Sequence, residues 1–211
     1  MTETKGKVVG INGNMVSVEF DGNVSMNEVA FVNVEGKKLK GEIIRIRGNV
    51  AQMQIYEMTQ GIKAGDVVEF TGNMLCALLG PGLLGQVYDG LQNPLPLVAE
   101  QAGFFLERGV YVDPLSNQKK WDWTPSVNVG DTLLRGDSIG FVPEGPFSHK
   151  ILVPFGMLGS YKVKEVTPAG SYTINDTMAV VTDEKGKEFK LTMCFEWPVK
   201  RAVDCYAERL A

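Results

Sequence analysis

Met15-Val16-Ser17-Val18-Glu19-Phe20, closed by Asp21-Gly22-Asn23, is the stretch on which the fold turns. Val16, Val18 and Phe20 alternate with Ser17 and Glu19. Successive side chains of a strand point to opposite faces, so this period of two hides one face and wets the other. Asp-Gly-Asn then supplies turn chemistry. The same unit recurs on both sides. Residues 7–11 form a strand that ends at Asn12-Gly13-Asn14. Residues 28–34 form another, turned by Glu35-Gly36. In residues 39–47, Ile44 and Ile46 are expected to face inward, with Arg45 and Arg47 outward, before Gly48-Asn49. In residues 50–56, Ala51, Met53 and Ile55 oppose Gln52, Gln54 and Tyr56. Lys63-Ala64-Gly65-Asp66 leads into a sixth strand over 67–70. Six short, half-apolar strands must hide one face and their edges, and closing into a small barrel over residues 1–73 does both.

Beyond the barrel the pattern changes. Leu78-Leu79-Gly80-Pro81-Gly82-Leu83-Leu84-Gly85 is apolar and glycine-rich, and Pro94 and Pro96 follow. Val98, Ala102, Phe105 and Leu106 suit a short helix over 97–107, weakened by Gly103. Residues 74–109 therefore read as a packed connector with one helix. Strand and turn patterning returns over 110–195, a second β-rich domain. There Gly130-Asp131-Thr132-Leu133 and Gly136-Asp137-Ser138-Ile139 echo Gly65-Asp66-Val67-Val68. Each is expected to open a strand after a turn, although the echo is too loose to define a repeat fold. Residues 196–211 read as a linker or a short helix. The fold class is mainly β: a six-stranded barrel, then a second β-rich insertion, with little helix.

Composition narrows the function. The 211 residues are 44% hydrophobic, with 24 Gly and 10 Pro spread along the chain, as many-turned β structure requires. The net charge is -4. Nucleic-acid binders carry a basic stripe that neutralises phosphates. The densest basic cluster here, Lys37, Lys38 and Lys40, is flanked by Glu35 and Glu42 and reads as a solvated hairpin. Cys76, Cys194 and Cys205 are an odd set without a close pair, and His149 is the sole histidine. That argues against a disulfide framework and a zinc site, and for a reducing compartment. The polar start Met1-Thr2-Glu3-Thr4-Lys5 is no signal sequence, and no apolar run reaches membrane-helix length.

Catalytic machinery is not expected. A phosphate loop needs Gly-x4-Gly-Lys-Ser/Thr, whose amides wrap phosphates while Lys neutralises them and the hydroxyl holds magnesium. No Gly-Lys pair here has a glycine at that upstream spacing, and no Lys precedes Ser or Thr. Gly80-Pro81-Gly82-Leu83-Leu84-Gly85 lacks Lys and reads as a structural turn. Arg135-Gly136-Asp137 reads as a turn rather than an adhesion site. Ser148 and His149 are neighbours, but adjacent strand residues point to opposite faces, so His149 reads as a surface or hairpin residue. Nothing selects a pair among Asp113, Asp122, Asp131 and Asp137 for acid–base work. No catalytic, nucleotide-binding or metal residue is assigned, and no cofactor is expected in this segment.

A family resemblance covers nearly the whole chain. Leu39-Lys40-Gly41-Glu42-Ile43-Ile44-Arg45 resembles the Leu-x-Gly-Glu-Val/Ile-Ile-Arg segment of V/A-type rotary ATPase A subunits (alpha chains). Gln54-Ile55-Tyr56-Glu57-Met58-Thr59-Gln60-Gly61-Ile62 resembles their Gln-Val-Tyr-Glu-x-Thr-x-Gly-Leu stretch, with Thr71-Gly72 following in place. Residues 79–95 (Leu79-Gly80-Pro81-Gly82-Leu83-Leu84-Gly85-Gln86-Val87-Tyr88-Asp89-Gly90-Leu91-Gln92-Asn93-Pro94-Leu95) resemble Leu-Gly-Pro-Gly-Leu-Leu-x-x-Ile-x-Asp-Gly-Ile-Gln-Arg-Pro-Leu, with Asn93 where the pattern has Arg. Trp123-Thr124-Pro125, Gly136-Asp137-Ser138-Ile139-Gly140 and His149-Lys150-Ile151-Leu152-Val153-Pro154 resemble the insertion called the bulge, or non-homologous region. Trp197-Pro198-Val199-Lys200-Arg201 resembles the segment leading toward the nucleotide-binding domain.

The resemblance implies an N-terminal barrel plus a barrel-sandwich-like bulge. In the parent family, ATP and Mg bind beyond this segment, and the full subunit couples ATP hydrolysis or synthesis to proton or sodium transport by rotation. This portion would be structural. Its expected partners are the B subunits of an alternating ring and the peripheral stator stalk, with no nucleic acid and no direct membrane insertion. The expected location is cytoplasmic, peripheral to the membrane. The alternative is a stand-alone β-barrel binding module, which would need basic and aromatic residues on one face.

Overall fold

A computed structural model describes residues 4–102 and 108–205. The chain forms two compact units, Met1–Leu75 with Pro96–Tyr111, and Cys76–Leu95 with Val112–Ala211.

The first unit is a closed barrel. Its strands are β1 (Lys5–Asn12), β2 (Met15–Phe20), β3 (Glu28–Val34), β4 (Lys37–Arg47), β5 (Val50–Ile55) and β6 (Val67–Met74), in the order β1-β2-β5-β4-β3-β6. Antiparallel pairing of β6 with both β1 and β3 closes it. Alternation does the work the sequence implies: Val16 and Val18 are buried on β2, and Ala51, Met53 and Ile55 on β5. They share one core with Leu39, Val68 and Phe70.

β4 departs from simple alternation. Leu39, Gly41 and Ile43 point inward, then a bulge between Ile43 and Arg45 inserts one residue. Ile43 is therefore buried and Ile44 only half-buried, which corrects the expectation that Ile44 faces the core. Ile46 still packs against the core, because an extra residue returns the even positions to the inner face. Gly41 carries no side chain for a packing reason: a Cβ there would collide with the Gln54 carbonyl and approach Met53 Cε at 2.8 Å.

The expected connector over 74–109 does not form a separate element. β7 (Cys76–Leu79) is a strand, and α1 (Leu95–Ala102) begins two residues before the expected start at 97. Pro96 fits its first turn, where the missing N–H has no intrahelical partner to lose. Gly103, Phe105 and Leu106 lie outside the described residues.

The second unit is built on β8 (Trp121–Pro125), β9 (Thr132–Leu133), β10 (Ser138–Glu144), β11 (Phe147–Leu152), β12 (Tyr161–Val166), β13 (Gly170–Tyr172), β14 (Ala179–Thr182), β15 (Glu188–Leu191) and β16 (Phe195–Pro198). Two four-stranded sheets, β11-β10-β8-β13 and β15-β14-β12-β9, enclose one core that contains Trp123, Ile139, Ile151, Val163, Ile174 and Met178. β16 pairs with β7, matching Phe195 to Leu79 and Pro198 to Cys76. Residues 195–198 are thus a strand, not the start of a linker, because a partner distant in sequence supplies the ladder. Residues 206–211 of the expected linker lie outside the described residues.

Trp123 anchors this core at 1% exposure, and its Nε1 donates to the Thr167 carbonyl at 3.0 Å. Gly140 makes room for it, since a Cβ there would overlap the Trp123 ring and the Thr124 carbonyl.

The Gly-Asp echo is one local device used three times. In Lys63-Ala64-Gly65-Asp66, Asn128-Val129-Gly130-Asp131 and Leu134-Arg135-Gly136-Asp137, the glycine takes φ of 95°, 99° and 84°. The Asp carboxylate accepts the first residue's N–H at 2.8, 2.8 and 2.7 Å. Gly N–H and Asp C=O then bracket one buried valine, Val8, Val163 or Val153, through paired backbone bonds. A strand follows each turn, as expected.

Candidate functional site

The residues that carry the family resemblance act mainly as clamps. In the barrel unit, Glu57 receives the Gly109 N–H at 2.7 Å on one oxygen and the Tyr111 hydroxyl at 2.5 Å on the other. Arg108 donates to the carbonyls of Met58 and Gln60. Tyr111 Oη accepts the Lys40 N–H at 2.8 Å, and the Lys40 ammonium lies 4.6 Å from the Tyr111 ring centroid. Thr59 donates to the Gly13 carbonyl at 2.7 Å. The Glu57-Met58-Thr59-Gln60 run therefore straps residues 108–111 onto the outside of the barrel. Burial, then the bond and charge of Glu57, push the Tyr111 phenol well above its ordinary range. Tyr56 is raised in the same direction, by burial first and by Glu42 second.

In the second unit, the Asp89-Gly90-Leu91-Gln92-Asn93 run forms a knot. Asp89 Oδ1 accepts the N–H groups of Leu91 and Asn93, and Oδ2 takes the Asn93 amide at 2.8 Å. Gln92 imitates a strand neighbour, bonding both the N–H and the C=O of Leu78. Asn93, which stands where the family pattern has Arg, is buried and accepts the Val112 N–H at 3.0 Å. The departure is thus accommodated by a neutral amide that satisfies Asp89 directly.

His149 has a partner that the sequence did not single out. Its Nδ1 lies 2.6 Å from Glu144 Oε2 across the β10–β11 hairpin. Glu144 Oε1 accepts the Gly82 N–H at 2.6 Å and the Leu84 N–H at 3.3 Å. One buried carboxylate thus joins the lone histidine to the Gly80–Gly85 loop. Ser148 pairs with Pro143 in the ladder and does not share this contact. The pairing was latent in the five-residue spacing of Glu144 and His149 about the turn at Gly145.

The other candidates are dispersed. Asp131 and Asp137 cap turns, Asp113 accepts from Asn117 at 2.7 Å, and Asp122 is exposed. Lys38 pairs with Glu69, whose carboxyl is held below its usual range by that bond and by Asn33. Arg135 of the Arg-Gly-Asp turn pairs with Asp204 at 2.8 Å. Cys76, Cys194 and Cys205 are unbridged, and burial pushes the Cys194 thiol up. Among the described residues, no three His, Cys, Asp or Glu side chains gather as a metal site, and no helix is long and apolar enough to cross a membrane.

Apolar residues do collect on the outside of the barrel. Val9 and Ile11 on β1 are 49% and 42% exposed, and Val67, beside Lys7 in the ladder, is 40% exposed. These are positions where an isolated barrel would place polar side chains. Met58, next to the Thr59 that bonds Gly13, is 72% exposed.

The two folded β units are a closed barrel and a two-sheet sandwich. The comparisons agree with both units. Residues 8–72 match the ATP synthase alpha/beta family beta-barrel domain, and residues 112–200 match the ATPsynthase alpha/beta subunit barrel-sandwich domain. The V-type ATP synthase alpha chain of Treponema denticola is 65% identical over 210 residues, which is 100% of this chain and 36% of that protein. The V-type ATP synthase alpha chain 1 of Treponema pallidum is 58% identical over the same span, with the same two shares. That of Borrelia garinii subsp. bavariensis is 54% identical over 208 residues, 99% of this chain and 36% of that protein. The chain belongs to the V-type ATP synthase alpha-chain family, over the N-terminal domains of its members. It spans 36% of the length of these relatives.

Proposed function

We propose that this chain is the structural, assembly-forming part of the catalytic A subunit of a V/A-type rotary ATPase. The whole subunit would couple ATP hydrolysis or synthesis to proton or sodium transport. The segment itself would neither bind nor hydrolyse ATP, since no phosphate-loop pattern stands in it. Its barrel would sit beside the barrels of B subunits in an alternating ring, and its second unit would meet the peripheral stator stalk. The location would be cytoplasmic, peripheral to the membrane through the assembled complex.

The observation that carries this reading is the apolar strip of Val9, Ile11 and Val67 on the outer barrel wall. Exposed apolar side chains gathered on one face mark association surfaces. A motor under torque needs a stiff collar, and closed barrels packed wall to wall supply one without any chemistry.

The test is native mass spectrometry of the chain mixed with a V-type B subunit. A one-to-one complex is expected, lost in Ile11→Asp and retained in Leu158→Asp, a change at an exposed residue of the other unit. A complex indifferent to Ile11→Asp would overturn the role of the strip. Calorimetry with ATP and magnesium should show no uptake by the chain alone, and saturable binding would overturn the structural reading.

A further inference from the structure

The second unit contains a cleft of about 330 Å³ between the Gly82–Gln86 loop, the start of β8 and the β10–β11 turn. Three observations give it chemistry. First, the indole Nε1 of Trp121 is buried without a hydrogen-bond partner, although the residue lines the cleft and is only 6% exposed. An orphaned buried donor is costly and calls for an acceptor. Trp123 and Trp197 satisfy theirs, on the carbonyls of Thr167 and Arg201.

Second, Gly82 of the cleft wall packs beside the same ring: a Cβ built there would lie 3.4 Å from Leu115 Cδ2 and 3.5 Å from Trp121 Cζ2. Gly82 also takes φ of 111°, which excludes most other residues.

Third, positive charge converges on the same spot. The Lys119 ammonium stands 3.9 Å from the Trp121 ring centroid. A cation on the ring face draws electron density away and strengthens the N–H as a donor. Lys120 also lines the cleft, and neither lysine is ion-paired among the described residues.

The acidic groups nearby are largely committed. Both oxygens of Glu144 already accept bonds, from Gly82, Leu84 and His149. Asp176, which feels Lys120, caps Thr173. Asp122 lines the cleft as well, but it is solvent-exposed, so water and salt screen its charge.

We propose that this cleft is an oxyanion site that takes the phosphate group of a small ligand. Trp121 Nε1 supplies the directional bond, and Lys119 and Lys120 supply the charge. No covalent step is involved.

The test follows the three indole N–H signals of the nitrogen-15-labelled chain at neutral pH. Sodium phosphate is titrated against sodium chloride of equal ionic strength. A saturable shift of the Trp121 signal with phosphate alone is expected, while the Trp123 and Trp197 signals stay fixed and report an intact fold. Lys119→Ala and Lys120→Ala should each weaken binding by about two- to fivefold, the range for one solvent-facing charge pair. A small phosphate monoester run in parallel identifies the source, the tighter of the two probes naming the ligand as free ion or ester. Equal shifts in chloride, an immobile Trp121 signal, or full binding in the double lysine variant would each overturn the site and leave only a trapped water.

Discussion

Every barrel strand has two hydrogen-bonded neighbours, so the barrel has no open edge. The sandwich instead leaves β11, β13, β15 and β9 as edges. Closure satisfies backbone groups through the ladder itself, and the barrel core then needs only apolar side chains at alternate positions. Both units use carboxylate clamps and aspartate-capped turns, and the open sandwich adds a tryptophan seated over a glycine. Stability in the second unit should therefore depend more sharply on single side chains.

The largest test sets two glycines against each other. Gly140→Ala forces a methyl group into the rigid Trp123 ring and the Thr124 carbonyl. Gly41→Ala meets the Gln54 carbonyl, but also the movable ends of Met53 and Ile55 at 2.8 and 3.0 Å. Gly140→Ala should reach the top of the roughly 1–3 kcal/mol that overpacking costs, and Gly41→Ala should cost less. Thermal melts followed by near-ultraviolet dichroism compare them. A reversed ranking would remove the claimed fragility of the sandwich.

Glu144→Gln probes the clamp. It keeps the shape but gives His149 and the loop amides a weaker acceptor. A loss of about 2 kcal/mol is expected for a buried charge-assisted group. Hydrogen exchange should accelerate at Gly82 and Leu84 and stay unchanged at Gly109, which Glu57 holds in the barrel unit. Uniform acceleration at all three would mean global destabilisation instead.

Tyr111→Phe probes the matching strap of the barrel and should cost about 1 kcal/mol, since one hydroxyl bond to a carboxylate and one to a backbone N–H are lost. Its pH signature is more diagnostic. The folded phenol titrates above its ordinary value of 10.0, so the proton is held more tightly in the fold. The stabilisation is complete below that value and drains away as alkali titrates the unfolded chain first. The wild-type melting temperature should fall above pH ~10, and Tyr111→Phe should flatten that fall. Equal alkaline slopes would show that other groups govern it.

Local patterning was legible, and partner-dependent detail was not. Residues 15–20 and 28–34 have the bounds that alternation and turns imply, because both signals sit within a few residues. The choice of Ile43 over Ile44 was not legible. Three isoleucines within four positions allow either face, and only the bulge against β5 decides. Pairing of Cys76–Leu79 with Phe195–Pro198 was likewise hidden, since neither tetrapeptide alternates and their partner is far along the chain. The family motifs pointed to the right segments without saying what they hold. That Glu57 straps Gly109 and Tyr111 is written in no local pattern. Trp121 carried no signal either, because an unpartnered N–H exists only once the surroundings have folded.

The smallest effects decide whether the two units share a building rule. Asp66, Asp131 and Asp137 cap the same turn, once in the barrel and twice in the sandwich. Each carboxylate is solvent-facing, so replacing it by Ala should cost only ~0.5–1 kcal/mol, the net worth of one such bond. The loss should be the same at all three sites, because the glycine φ, the capped N–H and the bracketed valine are common to them. Urea midpoints of the three single variants measure this. Equal losses would make the turn a portable part, indifferent to whether the sheet beyond it closes. A cost confined to Asp131 and Asp137 would show that closure alone holds the Lys63–Asp66 turn in place, which would extend the contrast between barrel and sandwich to their smallest shared element.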